Sequence, residues 1–336
     1  MGSHTTTASS MRWRESRKQY ESGAPAQSRP PRRALVSRRM RGVILFNFLR
    51  GLLMGSADIV PGVSGGTIAV LVGIYERLVH AISMASKALG SLVRLRFREA
   101  GQRLREIDWG LILPLLIGIG VAIFSLAAAI STLLNDYPEA MAGVFTGLVT
   151  ASAWVAWRLI RQPGPTTVLV VVVSAAALFA LLGLKGGAIN EPSWLVIFGA
   201  GAIAICAMIL PGISGSFLLL TLGLYDFIIS GVSDRDLPVL GVFSLGCIIG
   251  LALFSQLLDW SLANYHDIVV AAMVGLMIGS FRVLWPWPGG VDSTELGAPN
   301  GNWLIPVVLG IAAAAVVIGL TLLGEQRGQQ KSGATL

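Results

Sequence analysis

The sequence predicts an all-α polytopic membrane protein. It reads as two inverted repeats of five apolar segments, each starting with a re-entrant helical hairpin broken at Pro-Gly-x-Ser-Gly. Three observations predict this. Of the 336 residues, 54% are hydrophobic and 13% are charged, with a mean hydropathy of +0.72. That is too little charge to cover a water-soluble domain of this length. Uninterrupted apolar runs such as 110–134, 166–184 and 303–323 are long enough to cross a hydrocarbon core about 30 Å thick, at about 1.5 Å per helical residue. Finally, the block Val60-Pro-Gly-Val-Ser-Gly-Gly-Thr67 returns 150 residues later as Leu210-Pro-Gly-Ile-Ser-Gly-Ser-Phe217.

The first repeat covers 42–190. It holds apolar segments at 43–59, 64–83, 110–134, 139–160 and 166–184. The first two are separated by the Pro-Gly break, and 43–59 is short and carries Arg50 and Asp58, which favours a re-entrant hairpin buried in protein over a full crossing. The second repeat covers 191–324, with segments at 194–209, 213–231, 238–259, 266–285 and 303–323. The spacing of the breaks also holds at Gly73/Gly223 and Tyr75/Tyr225, followed by Glu76 and Asp226. A second echo pairs Gly147–Ser152 with Gly275–Ser280 and then Trp157 with Trp285, now 128 residues apart. The linker 84–109 is long and its counterpart 233–238 is short, which accounts for the change. An odd number of segments per repeat makes the halves opposite in orientation, the inverted-repeat signature of many transporters. The 40 glycines lie within the apolar runs and fit close helix packing.

Charge predicts which way the chain faces. Residues 1–41 are polar and Arg-rich and read as a disordered cytoplasmic tail, with 325–336 as a second cytoplasmic tail. The linker carries Lys87, Arg94, Arg96, Arg98, Arg103 and Arg105, whereas the loops 135–139 and 286–302 carry no Lys or Arg. Positive-inside reasoning places both termini in the cytoplasm of a bacterial inner membrane. The linker, with its interspersed leucines, is expected to lie on the inner-leaflet surface. The basic tail points to orientation or anionic-lipid contact, so membrane lipids are the expected partners and nucleic acid is not. Cys206 and Cys247 sit in apolar segments with no metal-ligand spacing, and His4, His80 and His266 are scattered. No metal and no cofactor are expected, and the oligomeric state is left open.

The breaks carry the chemistry. A helix starting inside the membrane directs unpaired N–H groups and its positive dipole end into the interior, a ready site for phosphate or carboxylate. After each Pro-Gly the next helix starts near Ser64 or Ser214, and the serine either caps it or donates to an oxyanion. The bland alternative is a tight turn between packed helices. Ionisable residues within spans are costly and suggest function. Asp58 orients Arg50, caps a helix or carries a proton; Arg282 reaches an interior anion or extends to the interface beside Trp285 and Trp287. Glu76 and Asp226 stand near segment ends, on solvated faces or as proton carriers. The candidate substrate-binding set is Arg50, Asp58, Ser64, Gly65, Gly66, Thr67, Ser214, Gly215, Ser216 and Arg282, and the proton-coupling set is Asp58, Glu76 and Asp226.

Three stretches carry a family resemblance: Arg50-Gly-Leu-Leu-Met-Gly-Ser-Ala-Asp58-Ile-Val-Pro-Gly-Val-Ser-Gly-Gly-Thr67, Ala207-Met-Ile-Leu-Pro-Gly-Ile-Ser-Gly-Ser216 and Gly275-Leu-Met-Ile-Gly-Ser280. They resemble the bacterial undecaprenyl-phosphate translocase family, over roughly residues 42–323. The resemblance implies return of the C55 lipid carrier from the outer to the inner leaflet for reuse in cell-wall synthesis, with undecaprenyl phosphate or a related polyprenyl phosphate as the partner. Phe217 stands where the first block has Thr67, so the two tips are not expected to contribute equally. Proton coupling through Asp58 is a further expectation. Two other classes stay open: a channel or carrier for a small soluble anion, and an intramembrane serine hydrolase using Gly62-Val-Ser64-Gly-Gly66. The hydrolase lacks a convincing base for Ser64, so no enzyme activity is expected.

Overall fold

A computed structural model describes residues 32–333 except 61–62, 185–186, 188, 190, 292–295 and 300. The expected tail before residue 32 and Pro61-Gly62 of the first break therefore lie outside the described residues. The chain divides into two units at Val43/Ile44.

Thirteen α-helices are described: α1 (Arg32–Asp58), α2 (Gly65–Leu71), α3 (Tyr75–Val93), α4 (Phe97–Glu106), α5 (Trp109–Asp136), α6 (Pro138–Trp157), α7 (Pro165–Leu181), α8 (Trp194–Ile209), α9 (Gly215–Thr221), α10 (Tyr225–Ser233), α11 (Leu237–Asn264), α12 (His266–Gly279) and α13 (Leu304–Gly333). Helices α5, α6, α11 and the stretch Leu304–Leu323 of α13 are each long and apolar enough to cross a membrane. The pair α9/α10 passes the same test jointly, bent by 115° like a re-entrant loop, while α7 and α8 are shorter apolar helices. Among the described residues this makes four spans, or five with the bent pair. Phe124, in the middle of α5, is 92% exposed, an arrangement that hydrocarbon tolerates and water does not.

Two expectations need correction. Residues 32–41 are helical, not irregular: α1 starts at Arg32, in a run of Arg, Ala, Leu and Met that favours helix. The apolar segments 64–83 and 213–231 are not single helices either, since each breaks a second time seven residues after the first break. Gly73 (φ +69°) and Gly223 (φ +71°) take the left-handed conformation. Each lies in a glycine C-cap where Ile74 N–H reaches Ala69 O and Leu224 N–H reaches Leu219 O.

Glycines set the packing. A Cβ at Gly51 or Gly118 would land on backbone of Leu115 or Phe48, so α1 and α5 touch main chain to main chain. Gly201, Gly246 and Gly250 do the same for α8 and α11. A second set crosses the midpoint of the chain: Gly143 and Gly147 of α6 meet Pro306 and Gly310 of α13, and Gly275 and Gly279 of α12 meet Ser174 and Ala175 of α7. Small residues permit such approach where apolar lipid offers no hydrophobic drive between helices. Two matched pairs recur along the chain. Helices α5 and α11 are both 28 residues long, and each opens at an aspartate whose carboxylate accepts a helix N–H, Asp108 from Leu111 and Asp236 from Val239. Each passes to the next helix through a tyrosine, Tyr137 (φ −135°) or Tyr265 (φ −132°).

Candidate functional site: two helix breaks in contact

The breaks end up against each other. The Ser64 hydroxyl donates to Met208 O (3.0 Å), and the Thr67 hydroxyl accepts from Gly212 N–H (2.9 Å). Tyr75 donates its hydroxyl to Ile209 O (3.3 Å). Carbonyls at the end of α8 have lost their helical partners; Ser64 and Tyr75 supply replacement donors, and Thr67 supplies an acceptor for the Gly212 N–H just beyond the helix, where water is excluded. Ser64 and Thr67 are 2% and 1% exposed, so their hydroxyls are committed to this junction and not to solvent. Gly212 (φ +86°) is required twice over, because a Cβ would also lie 2.8 Å from Met277 Cα.

Local capping differs between the two tips. In the first, Ser64 Oγ accepts from Gly66 N–H (3.0 Å) and the Asp58 carboxylate accepts from Gly65 N–H (2.6 Å). An internal anion therefore already sits on the start of α2. In the second, Ser214 makes no cap to α9 and bonds Ser216 Oγ instead (2.8 Å). A cavity of about 180 Å³ lies between the tips, lined by Asp58, Ser64, Ser214, Gly215 and Ser216 together with Val63, Met208 and Ile213. Asp58 also closes one end of a larger groove of about 460 Å³ with Gly65 and Gly66, and most of the remaining lining is apolar. No described residue forms an ion pair with Asp58, so the only acid lining both spaces has no cation beside it.

Comparison with known proteins follows the same line. A family model described as undecaprenyl phosphate translocase-like (VCA0040-like) matches residues 54–298. The chain belongs to this family. A polyprenyl-phosphate transporter of Vibrio cholerae is 36% identical over 303 residues, covering 84% of this chain and 97% of the relative. A polyprenyl-phosphate transporter of Staphylococcus aureus is 28% identical over 295 residues, covering 82% and 95%. No solved structure matches the chain. This is a family of membrane transporters and not of enzymes. The geometry agrees: Ser64 donates to a backbone carbonyl and accepts from the Gly66 N–H, and no histidine bonds it among the described residues.

Among the residues singled out from sequence, Asp58, Ser64, Gly65, Gly66, Ser214, Gly215 and Ser216 line the tip cavity or the groove, and Thr67 ties the tips together. The other four line neither space. Arg50 donates to Asn47 Oδ1 (3.0 Å) and Val72 O (3.2 Å) and lies over the Phe46 ring. It does not meet Asp58, because eight residues along one continuous helix separate them by about 12 Å. Arg282 stands over Phe179 and beside Gly183, where a Cβ would lie 2.6 Å from its Cζ. Glu76 bonds His266 Nε2 (3.0 Å), and Asp226 is exposed in the first turn of α10. Tyr75, which also binds across the junction, is outside the sequence-derived set. Its repetition at Tyr225, next to the paired Gly73 and Gly223, was the available signal.

Proposed function

We propose that the protein moves undecaprenyl phosphate, or a closely related polyprenyl phosphate, from the outer to the inner leaflet of a bacterial plasma membrane. The observation that carries this reading is the contact between the two breaks around a polar cavity, with an apolar groove beside it that shares Asp58 and Met208. A polyprenyl chain stays in hydrocarbon while only its phosphate crosses, so the protein has to supply one small polar passage. Leaving that phosphate unpaired in the membrane would be prohibitive. Ser214, Ser216 and the amide of Gly215 replace its water, while Ser64 and Asp58 hold the first tip in place. The groove favours a lipid over a small soluble anion, which has no use for an apolar side wall. The family membership and the two polyprenyl-phosphate transporters it resembles support the same substrate.

Architecture and orientation form part of the proposal. The matched pairs α5/α11 and α6/α12 support two repeats, 42–190 and 191–324, and their odd segment number makes them inverted. The Arg-rich linker faces the cytoplasm with both termini. Arg50 and Arg282 then stand on opposite sides of the tips, and each has a buried guanidinium Nε without a partner. They serve as stations for the phosphate on entry and exit.

Asp58 couples the passage to a proton. A phosphate in the tip cavity would face the Asp58 carboxylate, and two anions in contact require a shared proton. A proton travelling with the phosphate also offsets the membrane potential, which opposes inward anion movement by about 2.3 kcal/mol per charge per 100 mV. Glu76 and Asp226 are the further candidates for this proton's route.

The test is leaflet-specific measurement of undecaprenyl phosphate in vesicles holding the purified protein. Ser214→Ala and Ser216→Ala should each slow translocation without unfolding the protein, since these hydroxyls bond only each other in the described structure. Wild-type rates in both variants, or uptake of inorganic phosphate in place of the lipid, would reject the reading.

A further inference from the structure

The groove beside Asp58 has a physical origin in the helix packing. Helices α1 and α5 are drawn together at Gly51 and Gly118, and α8 and α11 at Gly201, Gly246 and Gly250. Two tight pairs leave a gap between them. One wall of that gap presents Leu115 and Ile119 of α5, and the other presents Ile205 of α8 and Leu251 of α11. Helix α3 closes the floor with Ile82 and Ala85, one turn beyond Leu78 and Ala81 on the same face. The groove's charged lining is confined to Asp58, at the end where Gly65 and Gly66 also lie. Its rim residues Leu116 and Met208 are 56% and 46% exposed, so it opens sideways to the surrounding lipid.

Resting on the substrate reading above, we infer that this groove seats the isoprene units nearest the phosphate, with the phosphate ester directed at Asp58 and the tip cavity. Three observations select this occupant. The lining is apolar except at Asp58 and the Gly65–Gly66 backbone, which suits an apolar chain with one polar end; a phosphate placed there meets Asp58 through the shared proton proposed above. The groove lies next to the tip cavity, the two sharing Asp58 and Met208 in their linings. Its volume of about 460 Å³ lies within the roughly 300–1,000 Å³ of ligand pockets, enough for the first few units of a C55 chain while the rest stays in the bilayer. Because lipid is as apolar as the groove, the seat adds little hydrophobic affinity. Its contribution is alignment: it holds the phosphate at the mouth of the passage.

The experiment uses the full chain in vesicles of phosphatidylethanolamine and phosphatidylglycerol. The probe is an undecaprenyl phosphate analogue carrying a diazirine on the isoprene unit next to the phosphate. Photolabelling should fall on Ile82, Leu116 and Ile205, and excess undecaprenyl phosphate should remove it while excess phosphatidylglycerol does not. Ala85→Trp, which fills the floor, should lower translocation by about tenfold or more. Label spread evenly over lipid-facing helices, or removed equally by phosphatidylglycerol, overturns the inference; the second result makes the groove a phospholipid seat. A folded Ala85→Trp protein with wild-type rate also overturns it while leaving the translocation reading intact. Failure of the wild-type protein to move the lipid at all overturns that reading instead.

Discussion

Replacing Asp58 with asparagine isolates the proposed proton step because the local structure is set up to survive the change. Asp58 Oδ1 accepts from Gly65 N–H at 2.6 Å, and an asparagine Oδ1 can accept the same bond. A charge-assisted bond worth about 1.5–3 kcal/mol becomes a neutral one worth about 0.5–1.5, so the fold should lose only about 1 kcal/mol. Transport should change in kind. In the wild-type protein a singly charged phosphate crosses with one proton and carries no net charge. A 100 mV potential then leaves the final leaflet ratio unchanged, while each pH unit, acidic outside, shifts it about tenfold, or about 1.4 kcal/mol. In Asp58→Asn the charge crosses alone. The pH step then has no effect, and 100 mV, negative inside, opposes entry by about 2.3 kcal/mol, about fiftyfold. The assay is the leaflet ratio of undecaprenyl phosphate in vesicles with ionophore-set potentials. Inner pH is varied at constant outer pH, so the headgroup's own protonation on the loading side does not change. A folded Asp58→Asn protein that still follows the pH step, or a wild-type protein that follows the potential alone, would refute the reasoning.

Three further outcomes follow from distances at the tips and the helix crossings. Gly65→Ala places a Cβ 2.6 Å from Asp58 Oδ2, so the carboxylate must leave its amide; translocation should fall sharply, with about 1–3 kcal/mol lost in a thermal unfolding measurement. Thr67→Val keeps the side-chain volume but strands the buried Gly212 N–H, which should cost about 1–3 kcal/mol and slow transport, whereas Thr67→Ser should retain both. Gly118→Val drives a side chain into the Phe48 carbonyl, and the separation of α1 from α5 should lower the melting temperature and detach the groove wall, read by loss of translocation.

Much of this protein was legible as sequence because its strongest signals are local. Apolar runs must satisfy their own backbone in lipid, so 110–134, 139–160, 238–259 and 303–323 could hardly be anything but helices, and helices they are. The paired breaks announced where helices restart, and Ser64 and Ser214 are indeed the N-cap residues of α2 and α9. The second break at Gly73 and Gly223 shows in the sequence as a repeated glycine but not in hydropathy, which continues straight through it. An Arg50–Asp58 contact could have been set aside on helical geometry alone.

What the sequence determined, then, was which stretches are helical, where they are interrupted and which acid stands at the interruption, since each depends on neighbours within a turn or two. Only the tertiary structure decided that Ser64 meets Met208 across 144 residues, that Arg50 and Arg282 stay out of the tip cavity, and that a groove opens beside Asp58. Those outcomes depend on how closely whole helices approach. That approach is governed by backbone contacts at glycines such as Gly51, Gly118, Gly201 and Gly246, whose partners lie far along the chain.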